Sequence, residues 1–115
     1  MMMKINIKQW CTQTFLLLAV LAVSSVQAAG NAEAGKSKVR SCQICHGAEG
    51  VSTNPAYPIL AGQHAKYLVK QLKAFRNGTR KDPIMNGMSA SLSDQEMEDI
   101  AAFFEGKHLG ALGLR

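Results

Sequence analysis

Residues 41–50 of the chain, SCQICHGAEG, contain two cysteines three positions apart and a histidine directly after the second one. The sequence of 115 residues has only three cysteines, so two of them are concentrated in this stretch. The spacing C-x-x-C-H has three interpretations: a redox-active dithiol, half of a zinc site, or the attachment site of a covalently bound haem. Which of them applies depends on what the rest of the chain offers.

The N-terminal segment differs in character from the rest of the chain. Two lysines give it a basic start, residues 15–23 are uncharged and apolar, and small residues follow. This order is typical of a secretory signal peptide cleaved after Ala28. A spanning helix needs about 20 apolar residues, and flanking Thr and Ser could extend the run, so an uncleaved membrane anchor is the alternative. We predict a signal peptide over residues 1–28, a domain over residues 29–115 and a periplasmic location.

Cleavage would remove Cys11 and leave Cys42 and Cys45 as the only cysteines of a small domain. Domains of this size commonly need a disulfide, a metal or a cofactor to supplement their small hydrophobic core. The formal net charge is +5, and the basic residues form no stripe with interleaved aromatics, which argues against nucleic-acid binding. We expect neither a nucleic acid nor a small-molecule substrate as partner.

Three segments of the mature chain show helical patterns, and none shows the period-2 pattern of a strand. Residues 31–42 begin at a potential N-cap, Asn31. Gly35 weakens this helix unless it permits close packing against another helix. Residues 63–78 carry apolar side chains at helical spacing and end at an Asn-Gly pair. The members of this second pattern are Tyr67, Leu68, Gln71, Leu72 and Phe75.

The third helical pattern, residues 92–106, is the clearest because it begins with a capping box formed by Ser93 and Glu96. An apolar stripe follows at helical spacing. Its members are Met97, Ile100, Ala101 and Phe104. Residues 47–62 are rich in Gly and Pro, and Pro83 and Gly87 argue against a long helix in residues 79–91. The sequence therefore predicts two long loops, which in a compact domain are commonly functional. The expected fold is therefore all-α.

These elements allow the three interpretations of the cysteine stretch to be compared. A thioredoxin-like dithiol needs a β-α-β pattern, and a zinc site needs two further ligands at suitable spacing. His64 and His108 match no such spacing. Haem attachment agrees with the motif, because each thiol can bond one vinyl group and His46 can become the proximal iron ligand. The signal peptide supports haem c independently, and a disulfide beside an uninvolved histidine is the remaining alternative.

The sixth position of the iron separates an electron carrier from an enzyme. Met85 and Met88 lie in the second predicted loop, and either sulfur could complete His/Met ligation, which favours electron transfer. His64 and His108 are the other candidate ligands, and we expect both at the surface. An open, five-coordinate haem would instead predict an enzyme or a gas sensor.

The motifs together resemble those of the class I cytochromes c, in particular the small monohaem cytochromes c553 and the domains of cytochrome c4. The resemblance rests on CQICHGAEG (residues 42–50), YPILAGQHAKYLVKQLKAFRNGTR (residues 57–80) and DPIMNGMSASLSDQEMEDIAAFF (residues 82–104). It implies a cytochrome c fold, with about three main helices and long loops wrapped around one haem c. That haem would be attached covalently through Cys42 and Cys45.

The same resemblance implies the iron ligands. His46 is expected on the proximal side and Met85, the first methionine of the M-x-G-M stretch, on the distal side, with Met88 as second choice. Pro58 matches the family's proline whose carbonyl accepts the proton of the proximal histidine, and a plain turn residue is the alternative at that position.

The function that the resemblance implies is one-electron transfer by iron that cycles between Fe(III) and Fe(II). The expected partners are membrane respiratory complexes or periplasmic reductases and dehydrogenases. A haem subunit of a larger dehydrogenase or reductase complex, and a five-coordinate haem enzyme or gas sensor, are the alternatives.

Overall fold

The computed structural model of the chain describes residues 29–107. The predicted signal peptide with its cleavage site after Ala28, and the tail residue His108, lie outside the described residues. Within the described part the secondary structure is helical without strands, which confirms the predicted all-α class. None of the helices there has the length and apolar character that a membrane crossing requires.

Five helices follow one another along the described residues. They are α1 (Ala32–Lys38), α2 (Arg40–His46), α3 (Ala65–Arg76), α4 (Pro83–Ser89) and α5 (Asp94–Glu105). Helix α5 is central, because α1 and α3 both pack against it, while α4 packs against α3. The connection from α2 to α3 forms no helix, which confirms the first predicted loop.

The sequence predicted one continuous N-terminal helix over residues 31–42. The structure instead has two helices, α1 and α2, divided at Val39. Val39 has φ −78° and ψ −3°, and its side chain is completely buried. The chain therefore changes direction around a core residue, and α2 starts immediately after α1.

The prediction that residues 79–91 form a loop is wrong in part, because helix α4 lies within them. The sequence prediction treated Pro83 and Gly87 as helix breakers. Pro83 occupies the first turn of α4, where its missing N–H has no helical partner to lose. Asp82, whose backbone is extended as expected before a proline, caps the helix with its side chain.

The capping box that the sequence predicts at the start of α5 is present. Glu96 donates its backbone N–H to Ser93 Oγ at 3.2 Å, and Ser93 donates its own to Glu96 Oε2 at 2.9 Å. Two otherwise unpaired backbone donors are thus satisfied. Met97 lies at the staple position of this cap and is completely buried, so the start of α5 is anchored both by hydrogen bonds and by packing.

The hydrophobic core lies between α1, α3 and α5. Its buried members are Val39, Leu68, Val69, Ile100, Ala101, Phe103 and Phe104. The apolar stripe predicted for α5 is buried throughout. In α3, Leu68 and Phe75 are buried as predicted, whereas Tyr67 is 48% exposed. Tyr67 precedes Leu68 by one position, which turns it about 100° away around the helix axis and onto the flank.

Two ion pairs connect α3 to the start of α5. Lys73 Nζ and Arg76 Nη2 donate to the carboxylate of Asp94 at 2.9 Å and 2.6 Å. These hydrogen bonds, the one from Lys73 above all, hold the pKa of Asp94 below its ordinary value. Arg76 also donates through Nη1 to the carbonyl of Leu92 at 2.8 Å, so the last turn of α3 is tied to the chain that enters α5.

Helix α1 approaches α5 so closely that Gly35 meets its backbone. A Cβ atom at Gly35 would lie 2.1 Å from the carbonyl oxygen of Asp99. The side chain of Asp99 is buried and accepts a hydrogen bond from the backbone N–H of Asn31 at 2.9 Å. Asn31 itself caps α1, as predicted, by accepting from Glu33 and Ala34. Gly35 therefore permits close helix packing, which was the condition under which the sequence allowed it.

We expect Gly35→Ala to lower the free energy of unfolding by about 3 kcal/mol, because α1 must move away from α5 to accommodate the methyl group. Guanidinium denaturation of the holoprotein, followed by circular dichroism, measures this change. The matched control is Gly87→Ala in α4, where an added Cβ meets no atom within 4 Å, and it should change stability by no more than about 1 kcal/mol. Equal stability of Gly35→Ala and wild type would contradict the close approach.

The pH dependence of stability should depend on Glu96. The hydrogen bond from the Ser93 backbone, with a smaller contribution from Lys38, lowers the pKa of Glu96 from 4.5 to about 2. The carboxylate therefore stabilises the fold above its unfolded-state pKa, and this contribution is lost as the pH falls from 4.5 towards 2.

We expect Glu96→Gln to lose less stability than wild type on acidification through this range, because glutamine can still accept at the cap but does not titrate. Thermal melting temperatures measured at several pH values in acid test the difference. Glu33→Gln, at an exposed position, is the control and should keep the wild-type pH dependence. A wild-type acid profile in Glu96→Gln would show that this carboxylate has no part in it.

Candidate functional site

The short helix α2 presents the cysteine motif on one side. Cys42, Cys45 and His46 stand at positions i, i+3 and i+4, which share one face of a helix. Cys42 packs against the hydrophobic core, and His46 is only 7% exposed. Ile44 belongs to the opposite face and is 85% exposed. The helix thus turns both thiols and the imidazole inwards together.

The imidazole of His46 is oriented by a backbone carbonyl. His46 Nδ1 lies 2.7 Å from the carbonyl oxygen of Pro58. A carbonyl oxygen only accepts hydrogen bonds, so Nδ1 carries the proton and Nε2 keeps its free lone pair. The ring of Tyr57 stands edge-on to that of His46, with the centroids 6.3 Å apart. The imidazole is therefore held in the tautomer that can bind a metal through Nε2.

Gly47 lets the chain leave α2 directly after His46. Its φ of +88° is in the region that favours glycine, and a Cβ there would lie 2.2 Å from the carbonyl oxygen of Val51. The loop that starts here carries Pro58 back to the imidazole.

The loop is anchored to the C-terminal end of α5. Gly50 accepts hydrogen bonds at its carbonyl from the backbone N–H groups of Leu60 and Ala61, at 2.8 Å and 3.0 Å. Gly62 donates to the carbonyl of Phe104 at 2.9 Å. These bonds fix the position of the residues that follow Pro58, and with it the carbonyl that orients His46.

Cys42 and Cys45 are both free thiols, each half-buried. Burial raises the pKa of the Cys42 thiol, which keeps it protonated at neutral pH. The two thiols stand on one helix face without a disulfide between them, so both can bond to another group.

Helix α4 carries both candidate methionines. Asp82 accepts hydrogen bonds at Oδ1 from the backbone N–H groups of Ile84 and Met85, at 3.0 Å and 2.8 Å. Met85 is half-buried, whereas Met88 is 38% exposed. The backbone of Met85 is therefore held directly by the cap of its own helix.

The structure brings Cys42, Cys45, His46 and Pro58 together, but it does not bring Met85 into contact with them. Within the described residues, helices α2 and α4 do not pack against each other. Each is attached to the central helix by a different route. His64, a further candidate ligand in the sequence, has an 87% exposed side chain, as expected of a surface histidine.

Residues 32–106 match the sequence model of the family described as cytochrome c. The chain belongs to the cytochrome c family. Its cofactor is a covalently attached haem c, for which the motif at Cys42 and Cys45 has the required form.

Cytochrome c4 proteins are among the relatives of this cytochrome c. One from Stutzerimonas stutzeri is 44% identical over 107 residues, which cover 85% of this chain and 50% of that protein. The crystal structure of reduced recombinant cytochrome c4 from Pseudomonas stutzeri matches with a TM-score of 0.66 at 46% identity, over 70% of this chain and 47% of that one. This cytochrome c thus spans about half the length of the cytochrome c4 relatives that it matches.

Other relatives differ in length. Cytochrome c-554(548) from Halomonas halodenitrificans is 44% identical over 79 residues, which cover 66% of this chain and 95% of that protein. A thiosulfate dehydrogenase electron acceptor from Stutzerimonas stutzeri (strain A1501) is 48% identical over 65 residues, 56% of this chain and 30% of that protein. The resemblance to the c4 type of cytochrome c is thereby confirmed.

The geometry of this cytochrome c fits its cofactor. The donor set combines two free thiols on one helix face with an imidazole whose Nε2 is available. The sequence prediction overlooked one part of the surroundings, the capping role of Asp82 towards Met85. The Asp-Pro pair at residues 82–83 could have revealed it, since Asp at an N-cap followed by Pro is a common helix start.

Proposed function

We propose that this chain is a periplasmic monohaem cytochrome c that carries one electron at a time between redox proteins. The observation that carries the proposal is the buried His46, whose Nδ1 proton is held by Pro58 beside two free thiols. The bound haem supplies an iron that alternates between Fe(III) and Fe(II). A single C-x-x-C-H motif in the sequence supports one haem for this chain, and the predicted signal peptide supports the periplasmic location.

On the proximal side, Cys42 and Cys45 would hold the haem through thioether bonds to its vinyl groups, and His46 would bind the iron through Nε2. Pro58 would keep the imidazole in one orientation and strengthen its basicity by accepting a hydrogen bond from Nδ1–H at its carbonyl. This hydrogen bond measures 2.7 Å, a short distance for an N–H donor and a carbonyl.

On the distal side, Met85 would be the sixth ligand. Its half-buried side chain and its capped backbone support it over the more exposed Met88. His/Met ligation favours electron transfer and raises the reduction potential. Because both ligands would stay bound in both oxidation states, little would rearrange when an electron moves.

The surface charge supports partners with acidic docking faces. Lys66, Lys70 and Lys81 are exposed and make no ion pair within the part of the chain that the structure describes. Positive charge of this kind steers association with acidic surfaces and is screened by salt.

We expect Met85→Ala to lose the near-infrared sulfur-to-iron band of the oxidised protein and to lower the reduction potential by on the order of 100 mV. Visible and near-infrared spectra with a potentiometric titration measure both. Met88→Ala is the matched control, because it removes a thioether from the same helix, and it should keep the band.

Two outcomes of this comparison would change the proposal. If only Met88→Ala loses the band, Met88 is the distal ligand. If wild type has a high-spin spectrum that shifts with carbon monoxide, the iron is open, and an enzyme or gas sensor replaces the carrier.

A second candidate is that this chain accepts electrons from a particular dehydrogenase, as a separate carrier or as a bound haem subunit. The observation that favours it is the similarity to a protein named as a thiosulfate dehydrogenase electron acceptor. That name is the relative's, and it indicates a class of partner to test first.

We expect a thiosulfate dehydrogenase with thiosulfate to reduce the ferric protein at a rate that falls as ionic strength rises, because salt screens the steering charges. Stopped-flow absorbance at the reduced α-band measures this rate, and thiosulfate without the enzyme is the control. The same rate with and without the enzyme would remove this partner and leave the general carrier function intact.

A further inference from the structure

The side chain of Asn86, the residue after Met85, joins helix α4 to the end of helix α3. Its Nδ2 donates to the carbonyl of Phe75 at 2.7 Å and to the carbonyl of Arg80 at 2.9 Å. Its Oδ1 accepts from the backbone N–H of Asp82 at 2.8 Å. Both N–H groups of the amide are therefore hydrogen-bonded to backbone carbonyls. These partners also establish which end of the amide is the nitrogen.

Asp82 and Asn86 form a closed pair around Met85. The backbone carbonyl of Asp82 accepts from the backbone N–H of Asn86 at 2.9 Å. The carboxylate of Asp82 accepts from the backbone N–H of Met85 at 2.8 Å. Met85 thus lies between Asp82 and Asn86, which are hydrogen-bonded to each other. Asn86 is also hydrogen-bonded to helix α3.

Helix α4 depends on such attachments for its position. It has seven residues, and a helix of that length is not stable in isolation. Ser89 is its only buried member, while Ile84 and Met88 are 54% and 38% exposed. Phe75, by contrast, is a buried residue of α3. The hydrogen bond from Asn86 to the Phe75 carbonyl therefore connects a weakly buried helix to a core-anchored one.

We propose that Asn86 is a positioning residue for the distal side of the site, which holds Met85 in place by tying α4 to the end of α3. The inference rests on the proposed role of Met85 as iron ligand. The Asn86 hydrogen bonds then determine how often α4 moves away and exposes the iron to a competing ligand. The apparent affinity of a ligand that binds only the open form rises in proportion to the population of that form.

Imidazole binding to the ferric holoprotein tests this inference, because imidazole can bind only where Met85 has left. We expect Asn86→Ala to bind imidazole about tenfold more tightly than wild type, since the loss of the hydrogen bond to the Phe75 carbonyl, the one that reaches α3, corresponds to about that factor. Disappearance of the sulfur-to-iron band during the titration reports binding. Asn86→Asp keeps the shape of the side chain but lacks both donors, so we expect the same gain in imidazole affinity. It replaces the alanine variant in this test if that variant folds poorly.

Asn77→Ala is the matched control. Asn77 directly follows α3. Among the described residues its side chain bonds to Thr79 alone, accepting from the backbone N–H and the hydroxyl at 3.0 Å and 2.7 Å. We expect its imidazole affinity to remain within about twofold of wild type. Hydrogen exchange supplies a second readout. The backbone amide at position 86 should exchange faster in Asn86→Asp than in wild type, while the amides of α5 keep their wild-type rates.

The outcomes separate this inference from the proposed function. Wild-type imidazole affinity in both Asn86 variants, or an equal gain in Asn77→Ala, would overturn the positioning role and leave Met85 as ligand. Retention of the sulfur-to-iron band by Met85→Ala would overturn the ligand assignment and the inference with it. A gain confined to the Asn86 variants, with the band lost in Met85→Ala, supports both.

Discussion

The close approach of helices α1 and α5 at Gly35 is the contact on which the proximal side of the site depends. Helix α2 follows α1 through the single residue Val39, so the place of α1 on α5 also determines where the cysteine motif lies. The position of Pro58 depends on the same helix, because the loop that carries Pro58 is hydrogen-bonded to α5 at the carbonyl of Phe104. His46 and Pro58 meet because two separate attachments to α5 bring them together.

The helix that carries Met85 is attached to α5 by a longer route. Helix α3 packs on α5, and α4 packs on α3. The connection between α4 and α3 includes the hydrogen bond from Asn86 to the Phe75 carbonyl, whereas buried apolar side chains pack between α3 and α5. Helix α2 lies against the buried core through Cys42, whereas helix α4, which carries Met85, is joined to α3 by a polar junction. Polar junctions near the surface open at lower free energy than a packed core, so we expect α4 to open more readily than α2.

Local sequence patterns predicted those features of the fold that depend on neighbouring residues. The capping box at Ser93 and the apolar stripe after it identified α5, because hydrogen bonds and helical periodicity act within a few positions along the chain. The same reasoning failed at α4. A seven-residue helix with Pro and Gly resembles a loop in its composition, and it becomes a helix through the cap at Asp82 and the tertiary bonds of Asn86.

The sequence by itself determined the cofactor, because the thiols and the imidazole of haem attachment must be adjacent in the chain, and Cys42, Cys45 and His46 are. It also predicted the helix that organises the core. The resemblance to the family had named Pro58 as the partner of His46, and the structure places the Pro58 carbonyl 2.7 Å from Nδ1. Only the tertiary structure decided how the helix that carries Met85 is held. Both arrangements depend on backbone atoms brought together across 11 or 12 positions of sequence. Backbone carbonyls are identical in every residue, so local periodicity and capping signals do not predict which of them will be the partner.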